Sequence, residues 1–74
     1  MLATAVKSTT LTAVAYDSAS QVLQLNFRSG AIYYYFGVPV GVYQDLMAAD
    51  SKGSYFNQNI RNRFPYHRLV DDAP

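Results

Sequence analysis

The sequence predicts an α+β domain: a three-stranded antiparallel meander, two short helices packed on one of its faces, and a C-terminal extended tail. Three observations predict it. Apolar residues alternate at period two in runs between residues 9 and 36, with turn residues between the runs. Apolar residues then recur at helical spacing between residues 42 and 60, after Pro39. Half of the 74 residues are hydrophobic and only 15% are charged, so the chain has ample surface to bury and little charge to resist collapse. A chain this short holds one modest core. The expected division is an arm over residues 1–7, one domain over residues 8–70 and a frayed tail over residues 71–74.

The first run, residues 9–16, is rich in β-branched and small residues, with Val14 and Tyr16 sharing a face. Asp17-Ser18-Ala19-Ser20 reads as a turn because Asp and Ser side chains bond their own backbone there. Residues 22–27 place Leu23, Leu25 and Phe27 on one face and Gln24 and Asn26 on the other, as in a strand with one wet side. Arg28-Ser29-Gly30 decides the register with the tyrosine-rich run over residues 31–36. A two-residue loop would pair Arg28 with Ala31. A three-residue loop with Gly30 in the left-handed conformation pairs Phe27 with Ala31, Leu25 with Tyr33 and Leu23 with Tyr35. Gly30 stands where the second loop demands a glycine, which favours that register and turns Tyr33 and Tyr35 toward the core. A slip of one residue would reverse every facing.

Gly37-Val38-Pro39 ends the third run, and Pro39 suits the first position of a helix. Val42, Tyr43, Leu46, Met47 and Ala49 make the apolar stripe of that helix. Ser51 is the expected N-cap of a second, striped by Tyr55, Phe56, Asn59 and Ile60 despite Gly53 in its first turn. The tail from Phe64 to Val70 is extended by Pro65, as a short strand or a segment draped over the core.

Composition narrows the function classes. With no cysteine there is no disulfide framework and no thiolate metal site, which makes the cytoplasm the default location. The N-terminus lacks a signal peptide's basic start and apolar run, and no apolar stretch approaches the roughly 18 residues of a membrane span. One histidine, five dispersed aspartates and no glutamate make a thin catalytic inventory. No enzyme, no metal and no cofactor are therefore expected. Ser51-Lys52-Gly53-Ser54 lacks the preceding glycines of a phosphate loop.

Two features can carry binding. Net charge is only +1, but residues 51–70 contain Lys52, Arg61, Arg63, Arg68 and His67 without a single acid. Interleaved with Tyr55, Phe56 and Tyr66, these suit phosphate neutralisation and base stacking. The commoner meaning of such a cluster is a solvated rim around a core of Tyr55, Phe56 and Ile60. The second feature is Tyr33-Tyr34-Tyr35. In the favoured register Tyr33 and Tyr35 are core, and Tyr34, flanked by Ile32 and Phe36, is the contact candidate.

The series Val14-Ala15-Tyr16-Asp17, Leu23-Gln24-Leu25-Asn26-Phe27-Arg28-Ser29-Gly30 and Ile32-Tyr33-Tyr34-Tyr35-Phe36-Gly37-Val38-Pro39 resembles the KTSC domain. Val42-Tyr43 through Leu46 to Ala49, Ser51-Lys52-Gly53, Tyr55-Phe56-Asn57, Ile60-Arg61 and Tyr66 extend the resemblance across residues 8–70. That family occurs at the C-terminus of some lysyl-tRNA synthetases and as stand-alone bacterial proteins, and this chain looks like the stand-alone form. The resemblance implies no catalytic residue and favours RNA through the fusion alone. The leading expectation is thus a module for RNA or single-stranded nucleic acid, with Lys52, Arg61, Arg63 and Arg68 on phosphate and Tyr34, Tyr66 or His67 stacking. The rival is a protein-interaction module or homodimer using the open sheet face around Ile32, Tyr34 and Phe36. Neither involves a membrane.

Overall fold

A computed structural model describes residues 2–69. Seven elements follow in order: β1 (Thr4–Ala5), β2 (Leu11–Asp17), β3 (Val22–Phe27), β4 (Ile32–Tyr35), α1 (Val40–Ala48), α2 (Lys52–Asn59) and β5 (Tyr66–Leu69). The strands form one antiparallel sheet in sequence order, so each pairs with its chain neighbours. The expected three strands are therefore five. The arm contributes β1, only two residues long and too short for alternation to register. The tail contributes β5, whose four exposed residues show no apolar period. The residues expected to fray, 71–74, lie outside those described.

The turns fold for local reasons. After β2, Asp17 Oδ2 accepts from the Ser20 hydroxyl (2.9 Å) and Oδ1 from the Ala19 amide (3.1 Å). These donors, Ser20 first, hold its carboxyl below the usual carboxylate range. Between β3 and β4, the Phe27 amide donates to the Ala31 carbonyl (2.8 Å) and the Gly30 amide to the Phe27 carbonyl (2.9 Å). Gly30 has φ +99°, so this is the three-residue loop. Leu25 accordingly pairs with Tyr33 and Leu23 with Tyr35, the register that Gly30 favours.

Pro39 caps α1 from just outside it, its carbonyl accepting from the Val42 and Tyr43 amides, and the helix starts at Val40. The Ser51 hydroxyl accepts from the Ser54 amide (3.2 Å) at the start of α2, as a serine N-cap should. Gly53 is buried because α2 presses its first turn onto Thr10 just before β2; a Cβ there would overlap the Thr10 hydroxyl.

One face of the sheet carries the core. Leu11, Val14, Leu23, Leu25 and Tyr35 pack with Val38, Leu46, Phe56 and Ile60, and Tyr16 stacks on Tyr43 at 4.7 Å. These sheet residues belong to β2, β3 and one end of β4. Both edge strands stay exposed, so the helices cover only the middle of the sheet.

Candidate nucleic-acid interface

The sheet extends past the helices on the β5 side, and that overhang makes a groove. Register decides what faces it. Tyr35 pairs with Tyr66 and Tyr33 with Arg68, so all four share the face that bears the core. The three tyrosine rings gather at centroid separations of 5.6–6.2 Å. Phe56 meets Tyr35 edge-on at 5.7 Å and Phe27 at 5.3 Å, and Phe27 meets Tyr33 at 5.4 Å. The result is a continuous aromatic wall, buried at Tyr35 and 58% exposed at Tyr66.

Two guanidinium groups border it. The Arg68 Cζ lies 5.8 Å from the Tyr33 ring centroid, in the range of a cation–π contact. Arg61 enters from the end of α2, where the Ile60 and Arg61 amides both donate to the Phe56 carbonyl. Asn62 then reverses the chain at φ +63°, a conformation asparagine tolerates. Asn57 and Asn62 complete the helix side, and Thr10, Ser29 and Ala31 the far rim. The groove has a volume of about 500 Å³, and among the described residues no acid lines it. The Tyr35 phenol is pushed up to about 12, by burial first and then by the Tyr33 and Tyr66 phenols, with Arg61 pulling the other way.

Of the residues singled out in the sequence, Arg61, Arg68 and Tyr66 come together here. The others do not. Tyr34 and His67 are cross-strand partners one residue out of phase, so they stand on the opposite face of the sheet. Lys52 begins α2 on the other side of the Gly53–Thr10 contact and lines a separate cleft. Arg63 is exposed on the turn beyond Asn62, outside the groove lining. Tyr33 and Tyr35 do turn inward, yet they also wall the groove, because the core stops short of β5. The parity of Tyr66 and Arg68 after Pro65 was the available signal that these two share a face.

The open face holds the alternative patch. Ile32 and Tyr34 are half-buried there, opposite Leu69 and His67. Phe36, 40% exposed, continues their alternation just past β4. Among the described residues no group of three His or Asp side chains could hold a metal ion. No described helix is long and apolar enough to cross a membrane.

Comparison with known proteins places the fold and the chain together. The model of the KTSC domain matches residues 7–64. A protein of Tsukamurella paurometabola is 44% identical over 59 residues, covering 80% of this chain and 88% of that one. A lysine–tRNA ligase of Trichormus variabilis is 44% identical over 54 residues, which are 73% of this chain but only 10% of the ligase. The crystal structure of a KTSC domain protein from Yersinia pestis superposes with a TM-score of 0.90 at 30% identity, covering 93% of this chain and 97% of that one. With the matching model, the relatives and the shared five-stranded fold in agreement, the chain belongs to the KTSC domain family.

Proposed function

We propose that this domain is a non-enzymatic binding module that takes RNA, or another single-stranded nucleic acid, in the tyrosine–arginine groove. One observation carries it: Arg61 and Arg68 converge with three tyrosines in one groove, lined by no acid among the described residues. Arginine neutralises phosphate with a planar fork, and an exposed aromatic offers any base a face to stack on. Arg61 and Arg68 contact phosphate, and Tyr66 supplies the stacking face. Tyr33 backs Arg68 and keeps its guanidinium over the groove. Relatives named as lysine–tRNA ligases add an association with an enzyme that handles RNA. A cytoplasmic location goes with it.

The test is titration of labelled RNA and DNA oligomers at low and moderate salt. Each phosphate contact on a single strand contributes about 0.7 to the slope of log affinity against log salt. Arg61→Ala with Arg68→Ala should reduce that slope by about 1.4 and Arg63→Ala should leave it nearly unchanged. Absence of binding, or binding indifferent to salt, overturns the proposal.

A second function rests on the opposite face. Phe36 and Leu69 are 40% and 46% exposed near Ile32 and Tyr34, which suits a second copy of the chain. Sedimentation that finds only monomer up to high concentration excludes it.

A further inference from the structure

The groove does not stop at its far rim. Thr10 and Ser29 form that rim, and their chain neighbours Thr9 and Arg28 line a second cleft of about 540 Å³. The two clefts lie on either side of one ridge made by residues 8–10 and 28–29. The ridge is well tied: the Arg28 amide donates to the Thr10 carbonyl (2.9 Å), Arg28 Nη2 to the Ser8 carbonyl (2.6 Å), and α2 abuts Thr10 at Gly53.

The charge distribution follows the same path. Lys7, Arg28 and Lys52 line the second cleft, and Arg61 and Arg68 the first. Of the six basic residues in the chain, only Arg63 borders neither. Among the described residues Asp50 is the one acid lining either cleft. Arg28 spends one donor on Ser8 and Lys52 one on Ala49, so each keeps further donors for a ligand. The aromatic residues, by contrast, all belong to the first cleft. One end of the path suits bases and phosphates together, and the other suits phosphates alone.

We infer that the two clefts form one track for a single nucleic-acid strand several nucleotides long, crossing the ridge at the exposed Ser29. This rests on the function proposed above and adds the size and path of the ligand. The strand stacks unpaired bases at Tyr66 and carries its phosphates over the ridge to Lys7, Arg28 and Lys52. Stacking on an aromatic wall needs bases freed from pairing, which favours a single strand over a duplex. A mononucleotide occupies the first cleft only.

The full chain is titrated with uridine monophosphate, a uridine dinucleotide and a uridine decanucleotide, alongside two double variants. Arg28→Ala with Lys52→Ala removes two cations of the second cleft. Lys7→Ala with Lys52→Ala does the same while leaving the Arg28–Ser8 bond that ties the ridge. At 0.1 M salt two lost single-strand phosphate contacts weaken binding about 25-fold, from a slope of about 0.7 per contact. That loss is expected for the decanucleotide with both variants, and no loss for the dinucleotide. Should the decanucleotide bind both variants as tightly as the parent, or the dinucleotide bind the parent as tightly as the decanucleotide, the track is overturned and the groove proposal stands. Failure of the parent to bind any of the three overturns both.

Discussion

Replacing Gly53 with alanine sets two effects of opposite sign against each other. Gly53 lies in the first turn of α2, where alanine is better than glycine by about 1 kcal/mol in an unconstrained helix. An added Cβ, however, would overlap Thr10 Oγ1 and come within 3.1 Å of Thr10 Cβ. Thr10 has little room to yield. Its amide donates to the Ser8 hydroxyl (3.0 Å), and its carbonyl accepts from the Arg28 amide (2.9 Å). Overpacking of this kind costs about 1–3 kcal/mol. Gly53→Ala should therefore destabilise the domain by about 1 kcal/mol net, a fall in Tm of roughly 4–8 °C for a domain of this size. Thr10→Ala removes the overlapping hydroxyl and leaves only the tight Cβ contact. In that background the same change should be neutral or stabilising, giving a coupling of about 1–2 kcal/mol in a double-mutant cycle. Urea unfolding followed by circular dichroism measures all four proteins. A full propensity gain in the parent, or equal effects in both backgrounds, refutes a close approach of α2 to Thr10.

Leu25, fully buried in the core, should lose roughly 2–5 kcal/mol on change to alanine, enough to unfold a large fraction of so small a domain by the same urea assay. Gly30→Ala places a side chain at φ +99°, with space around it but backbone strain of about 1–3 kcal/mol; an unchanged Tm would show that the loop adopts another turn. Alkaline stability should depend on Tyr35. Its folded value near 12 exceeds the unfolded value of 10, so its contribution is complete below pH 10, declines between pH 10 and 12, and is lost above. Two pH units correspond to about 2.7 kcal/mol at most, and solvent screening in the open groove reduces this to about 1 kcal/mol. Tyr35→Phe should flatten that part of the decline, and parallel curves for the two proteins would exclude Tyr35 as its source.

What was legible in the sequence was what local rules control. Gly30 set the β3–β4 register because only a left-handed residue closes that loop, and Ser51 and the Asp17 turn were visible for similar reasons. The apolar stripe through Leu46, Phe56 and Ile60 predicted the core side of both helices. Where an element owes its structure to a neighbour, the sequence is quieter. Thr4–Ala5 has too few residues for periodicity and is a strand because β2 offers it an edge. The sequence counted Gly53 against α2, whereas close packing on Thr10 requires it. The basic residues were visible as a cluster along the chain, but a chain cluster is not a spatial one. Strand parity alone sends His67 to one face and Tyr66 and Arg68 to the other.

The fifth strand is what turns core aromatics into a surface. With four strands the sheet would end at β4, and Tyr33 and Tyr35 would be edge residues beside α2. Pairing β5 onto β4 adds Tyr66 and Arg68 to the same face beyond the reach of the helices, so the aromatic layer continues into solvent instead of ending. This makes stability and binding separable at Tyr66. The residue is 58% exposed, and its contacts with Tyr33 and Tyr35 are each worth about 0.5–1.5 kcal/mol only where fully formed. Tyr66→Ala should therefore cost about 1 kcal/mol of stability, well below the loss at Leu25. It should weaken oligonucleotide binding by about 1–3 kcal/mol, the usual worth of one stacked base, while leaving the salt slope unchanged because no phosphate contact is lost. A variant that loses slope, with its affinity falling most at low salt, would mean that Tyr66 positions Arg68 rather than stacking. Unaltered affinity and slope would remove the overhang from the binding surface altogether.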